Sequence, residues 1–168
     1  MSERRHLSVH ITGDAAIELD VFRAKWDPTM AKICPPHITL VYPEEVTDED
    51  LLIERAAQLA PRIRPFDVTV NTIFSDDEGR GGVFAAIEDR TGLLTQLREA
   101  VLAPPQQPLW YPFHSTIAHP RTSHDPFACW QMLRHVRMDI RVRVTEILYT
   151  STPDTARSSL AAFPLGEK

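Results

Sequence analysis

The sequence predicts an α+β fold built by duplicating a β-α-β-α-β unit, and three observations carry that prediction. Along the chain, apolar residues switch between a spacing of two and a spacing of three to four, so strands alternate with helices. The 14 prolines fall mostly between these periodic segments and mark their ends. Two short stretches also read almost alike, Pro36-His37-Ile38-Thr39-Leu40-Val41 and Phe113-His114-Ser115-Thr116-Ile117-Ala118, with their histidines 77 positions apart.

Leu7 to Thr12 alternates apolar and polar residues as a half-buried strand does, and Gly13-Asp14 stops it. Asp14 to about Trp26 reads as a helix with Leu19, Phe22 and Trp26 in one apolar stripe, ended by Asp27-Pro28. The first His/Thr strand runs from His37 to Tyr42 and closes at Pro43. Thr47 begins a helix with Asp48, Glu49 and Asp50 in its first turn, where the helix dipole favours negative charge, and Pro61 ends it. Phe66 to Phe74 alternates as a strand, Ser75 to Gly82 is a turn, and Val83 to Ile87 returns as the second arm of a hairpin.

The second half repeats the first. Thr91 to Leu102 reads as a helix with Leu94, Leu97, Val101 and Leu102 on one side, halted by Pro104-Pro105. After the second His/Thr strand come a helix capped by Asp125 with Pro126 at its first position, one long strand from Met138 to Tyr149, and a strand from Ser159 to Phe163. The prediction is a single bilobal domain over 1–168, with pseudo-repeat halves at about 5–78 and 79–165.

A chain of 168 residues with 43% hydrophobic content can bury one substantial core shared by two lobes. Its formal charge of -5, from 18 Lys+Arg against 23 Asp+Glu, argues against wrapping a long nucleic acid, whereas a small phosphorylated nucleotide or an RNA terminus fits. Cys34 and Cys129 are the only cysteines, and Met1 to Arg5 lacks the apolar core of a secretory signal, so the expected location is cytoplasmic with reduced thiols. No apolar run approaches the ~20 residues that span a bilayer, so no membrane partner is expected. No heptad run is present, and a monomer is the default expectation.

On a strand, residues two apart share a face, so His37 with Thr39 and His114 with Thr116 each project together, while Ile38 and Leu40 turn to the core. Two imidazoles and two hydroxyls in one cleft suit acid–base chemistry on a phosphate ester, with no metal or cofactor required. Taken singly, a strand histidine is more often satisfied by a neighbour and a strand threonine reflects ordinary β propensity; the duplication is what reverses those odds. A third match, His10-Ile11-Thr12, fails on context, because its strand stops at once and its counterpart in the second half falls near Ala86. A metal site built from His114, His119 and His124 with His37 is the first rival, opposed because strand residues five apart face opposite ways. Trp110, Tyr111 and Phe113 can form a lip that stacks a base, although core packing is the expectation.

The paired motifs His37-Ile38-Thr39-Leu40 and His114-Ser115-Thr116-Ile117 resemble those of the 2H phosphoesterase superfamily, which includes bacterial 2'-5' RNA ligases and cyclic nucleotide phosphodiesterases. The resemblance spans nearly the whole element order. It implies antiparallel sheets with outer helices, and motif strands side by side in a central cleft. It also implies His37 and His114 as catalytic acid and base, in unassigned order, with Thr39 and Thr116 donating hydrogen bonds to the phosphate. Many members carry an Arg five positions after the second motif histidine; here that position is His119, and the nearest Arg is Arg121. Tyr42 holds the equivalent place in the first motif, where it packs in the core or against a base. Tyr42, His119 and Arg121 are thus candidate substrate contacts. The implied reaction is hydrolysis of a 2',3'-cyclic or related cyclic or 2',5'-linked nucleotide or RNA end. The alternatives are 2'-5' RNA ligation and a non-catalytic nucleotide- or RNA-binding module.

Overall fold

The computed structural model describes residues 3–153 and 155–167, so Met1 and Ser2 of the N-terminal reading lie outside the described residues. The chain runs β1 (Arg4–His10), α1 (Gly13–Trp26), α2 (Pro28–Ile33), β2 (His37–Val41), α3 (Glu49–Leu59), β3 (Phe66–Ser75) and β4 (Val83–Glu88). It continues through α4 (Leu93–Val101), β5 (His114–Ala118), α5 (Pro126–Leu133), β6 (Arg137–Val144), β7 (Glu146–Thr152) and β8 (Ser158–Pro164). Two four-stranded sheets result, in the orders β2-β1-β7-β8 and β5-β4-β3-β6, and their neighbouring strands pair antiparallel. The α+β class and the antiparallel pairing agree with expectation.

The two sequence halves do not coincide with the two sheets. β1 and β2 pair in the first sheet, but β3, which follows them, joins the second. Reciprocally, β4, β5 and β6 lie in the second sheet while β7 and β8 return to the first. Exchanging β3 for β7 and β8 ties the two sheets together, and both motif strands are left at sheet edges, packed against one another. One core follows, in which the alternation of β3 buries Phe66, Val68 and Val70 against residues from both sheets.

Several element boundaries depart from the sequence expectation, each for a local reason. The expected strand from Met138 to Tyr149 is two strands in different sheets, separated at Thr145, whose carbonyl accepts from Leu165 N–H. β1 begins earlier and ends at His10; Ile11 N–H donates to the Pro36 carbonyl instead, and Thr12 is the N-cap position of α1. Asp27-Pro28 ends α1 and at once starts α2, where the Asp27 carboxylate accepts from Met30 N–H at 3.1 Å. Asp48, not Thr47, caps α3, and Asp125 caps α5 as expected, each accepting a backbone N–H at 2.9 Å. Such caps each contribute about 0.5–2 kcal/mol. Among the described residues, no helix is long and apolar enough to cross a membrane.

Candidate active site

β2 and β5 show the same sequence of burial, residue by residue: a half-buried His, a buried residue, a half-buried Thr, then two buried residues. The buried set includes Ile38, Leu40 and Ile117, each at most 1% exposed, and burying such a side chain is worth roughly 1.5–3 kcal/mol. That apolar side pins the register, since a slip of one residue would turn the histidines into the core. Both motif pairs therefore face outward into the same cavity, of about 690 Å³, between the edge strands.

The histidines are held in the same way. His37 Nδ1 lies 2.9 Å from the Pro35 carbonyl, and His114 Nδ1 lies 2.7 Å from the Pro112 carbonyl. A carbonyl oxygen only accepts, so Nδ1 carries the proton in both rings and Nε2 is left to exchange protons with a ligand. The prolines two positions before each motif histidine were a readable sign of this arrangement that the His/Thr pattern alone does not use.

The positions five after each histidine also match. Tyr42 N–H donates to the buried Glu45 carboxylate at 3.0 Å, and His119 N–H donates to the buried Asp27 carboxylate at 2.8 Å. Tyr42 and His119 both line the cavity. The strand argument that turned His119 away is corrected, because β5 ends at Ala118 and the chain bends, with Thr122 and Ser123 N–H groups donating to the His119 carbonyl. Arg121 is exposed outside the cavity lining, and its N–H donates to His119 Nδ1 at 3.2 Å. His114 and His119 thus share the cavity, yet among the described residues no group of three or more His, Cys, Asp or Glu is placed to hold a metal ion.

Around these matched features the two walls differ. Across β1 and β2, His10 pairs with His37 and Ser8 with Thr39; across β4 and β5, Ala86 pairs with His114 and Phe84 with Thr116. Directly opposed residues share a face, so the same motif has polar neighbours in the first sheet and apolar ones in the second. Arg4, His6, Thr152 and Arg157 extend the first wall, and Phe74 and Phe84 form the second, with the Phe84 ring centroid 4.7 Å from that of His114. Trp110 and Tyr111 rim the cavity at 85% and 39% exposure, so the core-packing expectation fails for both, while Phe113 does pack on the core. The Tyr111 ring sits 4.4 Å from Tyr42, and Arg98 holds the rim by donating to the carbonyls of Leu40 and Leu109 and to Glu45.

Electrostatics separate the two histidines. Burial, and then the Arg157 guanidinium, hold His37 well below its ordinary pKa. Burial lowers His114 too, but the Pro112 carbonyl and the Asp76 carboxylate work against it. His6 is pushed down to about 3 by burial and by Arg157 and Arg4. His119 is lowered by burial and by Arg121, and burial pushes the Tyr42 phenol up to about 12. Arg157 and Asp76 had no sequence signal, because both sit on loops that only the sheet topology brings to the cleft.

Comparison with known proteins agrees with this geometry. A family model described as the 2'-5' RNA ligase superfamily matches residues 12–153. No curated protein matches the chain. Among solved structures, E. coli LigT complexed with 3'-AMP is 17% identical with a TM-score of 0.64, covering 98% of this chain and 99% of that one. TT0787 of Thermus thermophilus is 17% identical with a TM-score of 0.63, covering 98% and 100%. Kluyveromyces marxianus Usb1 is 10% identical with a TM-score of 0.51, covering 96% and 98%. With the family model spanning most of the chain and a fold of two antiparallel sheets presenting both His/Thr strands to one cleft, the chain belongs to the 2'-5' RNA ligase superfamily of 2H phosphoesterases.

Proposed function

We propose that the protein is a metal-independent phosphodiesterase that opens a 2',3'-cyclic phosphate, or a related cyclic or 2',5'-linked nucleotide or RNA end, with His37 as general base and His114 as general acid. The observation that carries this reading is the pair of identically tethered imidazoles, each with Nε2 available to one cavity. Family membership supports phosphodiester chemistry. E. coli LigT structures hold ATP, 3'-AMP and NADP+, which supports a small phosphorylated nucleotide as the ligand class.

In this reading, His37 Nε2 takes a proton from water as its oxygen forms a bond to phosphorus. The bond from phosphorus to one ribose oxygen breaks on the opposite side, and His114 Nε2 gives that oxygen a proton, leaving a phosphomonoester. Thr39 and Thr116 hydroxyls donate to the non-bridging oxygens as negative charge builds there. Arg157 favours the neutral base and Asp76 the protonated acid, which is why the roles are assigned in this order. The four motif residues face one cavity within a single chain, so the proposed reaction calls for no second copy.

The test is release of phosphomonoester from 2',3'-cyclic nucleotides in the presence of chelator, comparing the intact protein with His37→Ala and His114→Ala. Turnover that persists in chelator and is lost in both variants is expected. Folded protein that turns over no such nucleotide, or turnover that survives either substitution, overturns the reading.

A further inference from the structure

The cavity holds a third imidazole that the proposed proton transfers do not use. His119 follows the last residue of β5 and lines the cavity together with His114 and Thr116. Its backbone is fixed on both sides. The N–H donates to the buried Asp27 carboxylate at 2.8 Å, and the carbonyl accepts from the N–H groups of Thr122 and Ser123. The Thr122 hydroxyl donates to the same carboxylate at 2.7 Å and closes the turn.

The ring nitrogens of His119 are set the other way round from those of the motif histidines. Arg121 N–H donates to His119 Nδ1 at 3.2 Å, so Nδ1 keeps its lone pair and the proton of the neutral ring sits on Nε2. In His37 and His114 a carbonyl faces Nδ1, which carries the proton and leaves Nε2 free to take or give one. A neutral His119 has no lone pair at Nε2, so it cannot act there as a base. A second proton would have to enter at Nδ1, against the Arg121 N–H, and burial and the Arg121 charge oppose it as well. Among the described residues nothing engages His119 Nε2, and it is not among the solvent-excluded polar atoms.

The first half has a counterpart. Tyr42 stands five residues after His37, its N–H held by the buried Glu45 carboxylate at 3.0 Å, and burial pushes its phenol up to about 12. Each half thus brings to the cavity one ring that exchanges protons and, five residues on, one that keeps its proton.

We propose that His119 is a further catalytic residue, a neutral hydrogen-bond donor through Nε2–H to a non-bridging oxygen of the reacting phosphate on the His114 side of the cleft. The inference rests on the phosphodiesterase reading for the group that is bound. No proton leaves His119: water still gives its proton to His37, and the leaving ribose oxygen still takes one from His114. The His119 bond strengthens as negative charge builds on the oxygen it meets.

Long-range 1H–15N NMR of the free protein reads the three rings directly. His119 is expected as the Nε2–H tautomer, with His37 and His114 as Nδ1–H when neutral, and the His119 Nε2 signal should shift on titration with inorganic phosphate. An Nδ1–H tautomer at His119, or an Nε2 signal that phosphate leaves in place, overturns the proposal without any variant having to fold. Substitution adds a second readout, because a glutamine amide nitrogen falls near the Nε2 position and an asparagine amide nitrogen near Nδ1. On 2',3'-cyclic nucleotides, kcat should fall about 10²–10³-fold in His119→Asn and His119→Ala, the loss of one such donor, and no more than about tenfold in His119→Gln. Equal losses in folded His119→Gln and His119→Asn, or no loss in His119→Ala, overturn it too. A protein that opens no cyclic phosphate yet shows the phosphate-shifted Nε2–H ring keeps the donor and refutes only the hydrolase.

Discussion

The two sheets carry the same strand in different surroundings. β2 and β5 share residue pattern, burial, a proline carbonyl on Nδ1 and a carboxylate-held N–H five residues on. Their neighbours share little: His10, Ser8 and Arg157 on one side, Ala86, Phe84 and Asp76 on the other. The repeat thus supplies two equally held histidines, and the change of neighbours makes their surroundings unequal. The cleft gains a direction, with a cationic wall at His37 and an aromatic wall at His114.

The strongest way to break this comparison is to remove each histidine in turn. His37→Ala and His114→Ala should each lower kcat by about 10²–10⁴-fold, measured by steady-state kinetics on 2',3'-cyclic nucleotides. A large loss in only one variant would mean that the matched strands do not share the work.

The carboxylates behind the strands give the next largest effect, and here the two sides should differ. Glu45 pairs with the nearly buried Arg98, so Glu45→Ala leaves an unpaired cation and should cost about 3–5 kcal/mol in denaturant unfolding. Asp27 accepts from neutral donors, the N–H groups of Met30 and His119 and the Thr122 hydroxyl, so Asp27→Ala should cost less, about 1–3 kcal/mol.

Smaller shifts sharpen the electrostatic side. The proposed reaction uses neutral His37 and protonated His114, so kcat/KM should rise with pH through the His37 pKa and fall through that of His114, both limbs lying below about pH 6.5. Arg157→Gln should move the rising limb to higher pH and Asp76→Asn the falling limb to lower pH. Shifts in the same direction would contradict the assignment.

A further effect concerns the pH dependence of stability. His6 has a folded pKa of about 3 against about 6.5 when unfolded, so the neutral ring is favoured by folding. Its contribution is complete above about pH 6.5 and is lost as pH falls toward 3. The melting temperature of His6→Asn should accordingly vary less over that window than that of the intact protein.

What the sequence made legible was local or repeated. The β-α-β-α-β order and the four motif residues could be read because periodicity and duplication are written along the chain. The exchange of β3 for β7 and β8 could not, since pairing partners are chosen across the fold and no glycine or proline stands at Thr145 to announce the change of sheet. α2 is hidden because the same Asp-Pro step that starts α5 also ends α1. His119 reads as facing away from His114 only while the strand is assumed to continue past Ala118, and Arg157 acquires meaning only once the β7–β8 loop is laid against the cleft.

The most direct measurement is an NMR titration of the His37 and His114 rings in the free protein, which needs no substrate. Both are expected to titrate below about 6.5, with His37 below His114. A His37 that titrates at or above His114 would contradict the division of roles between the two walls.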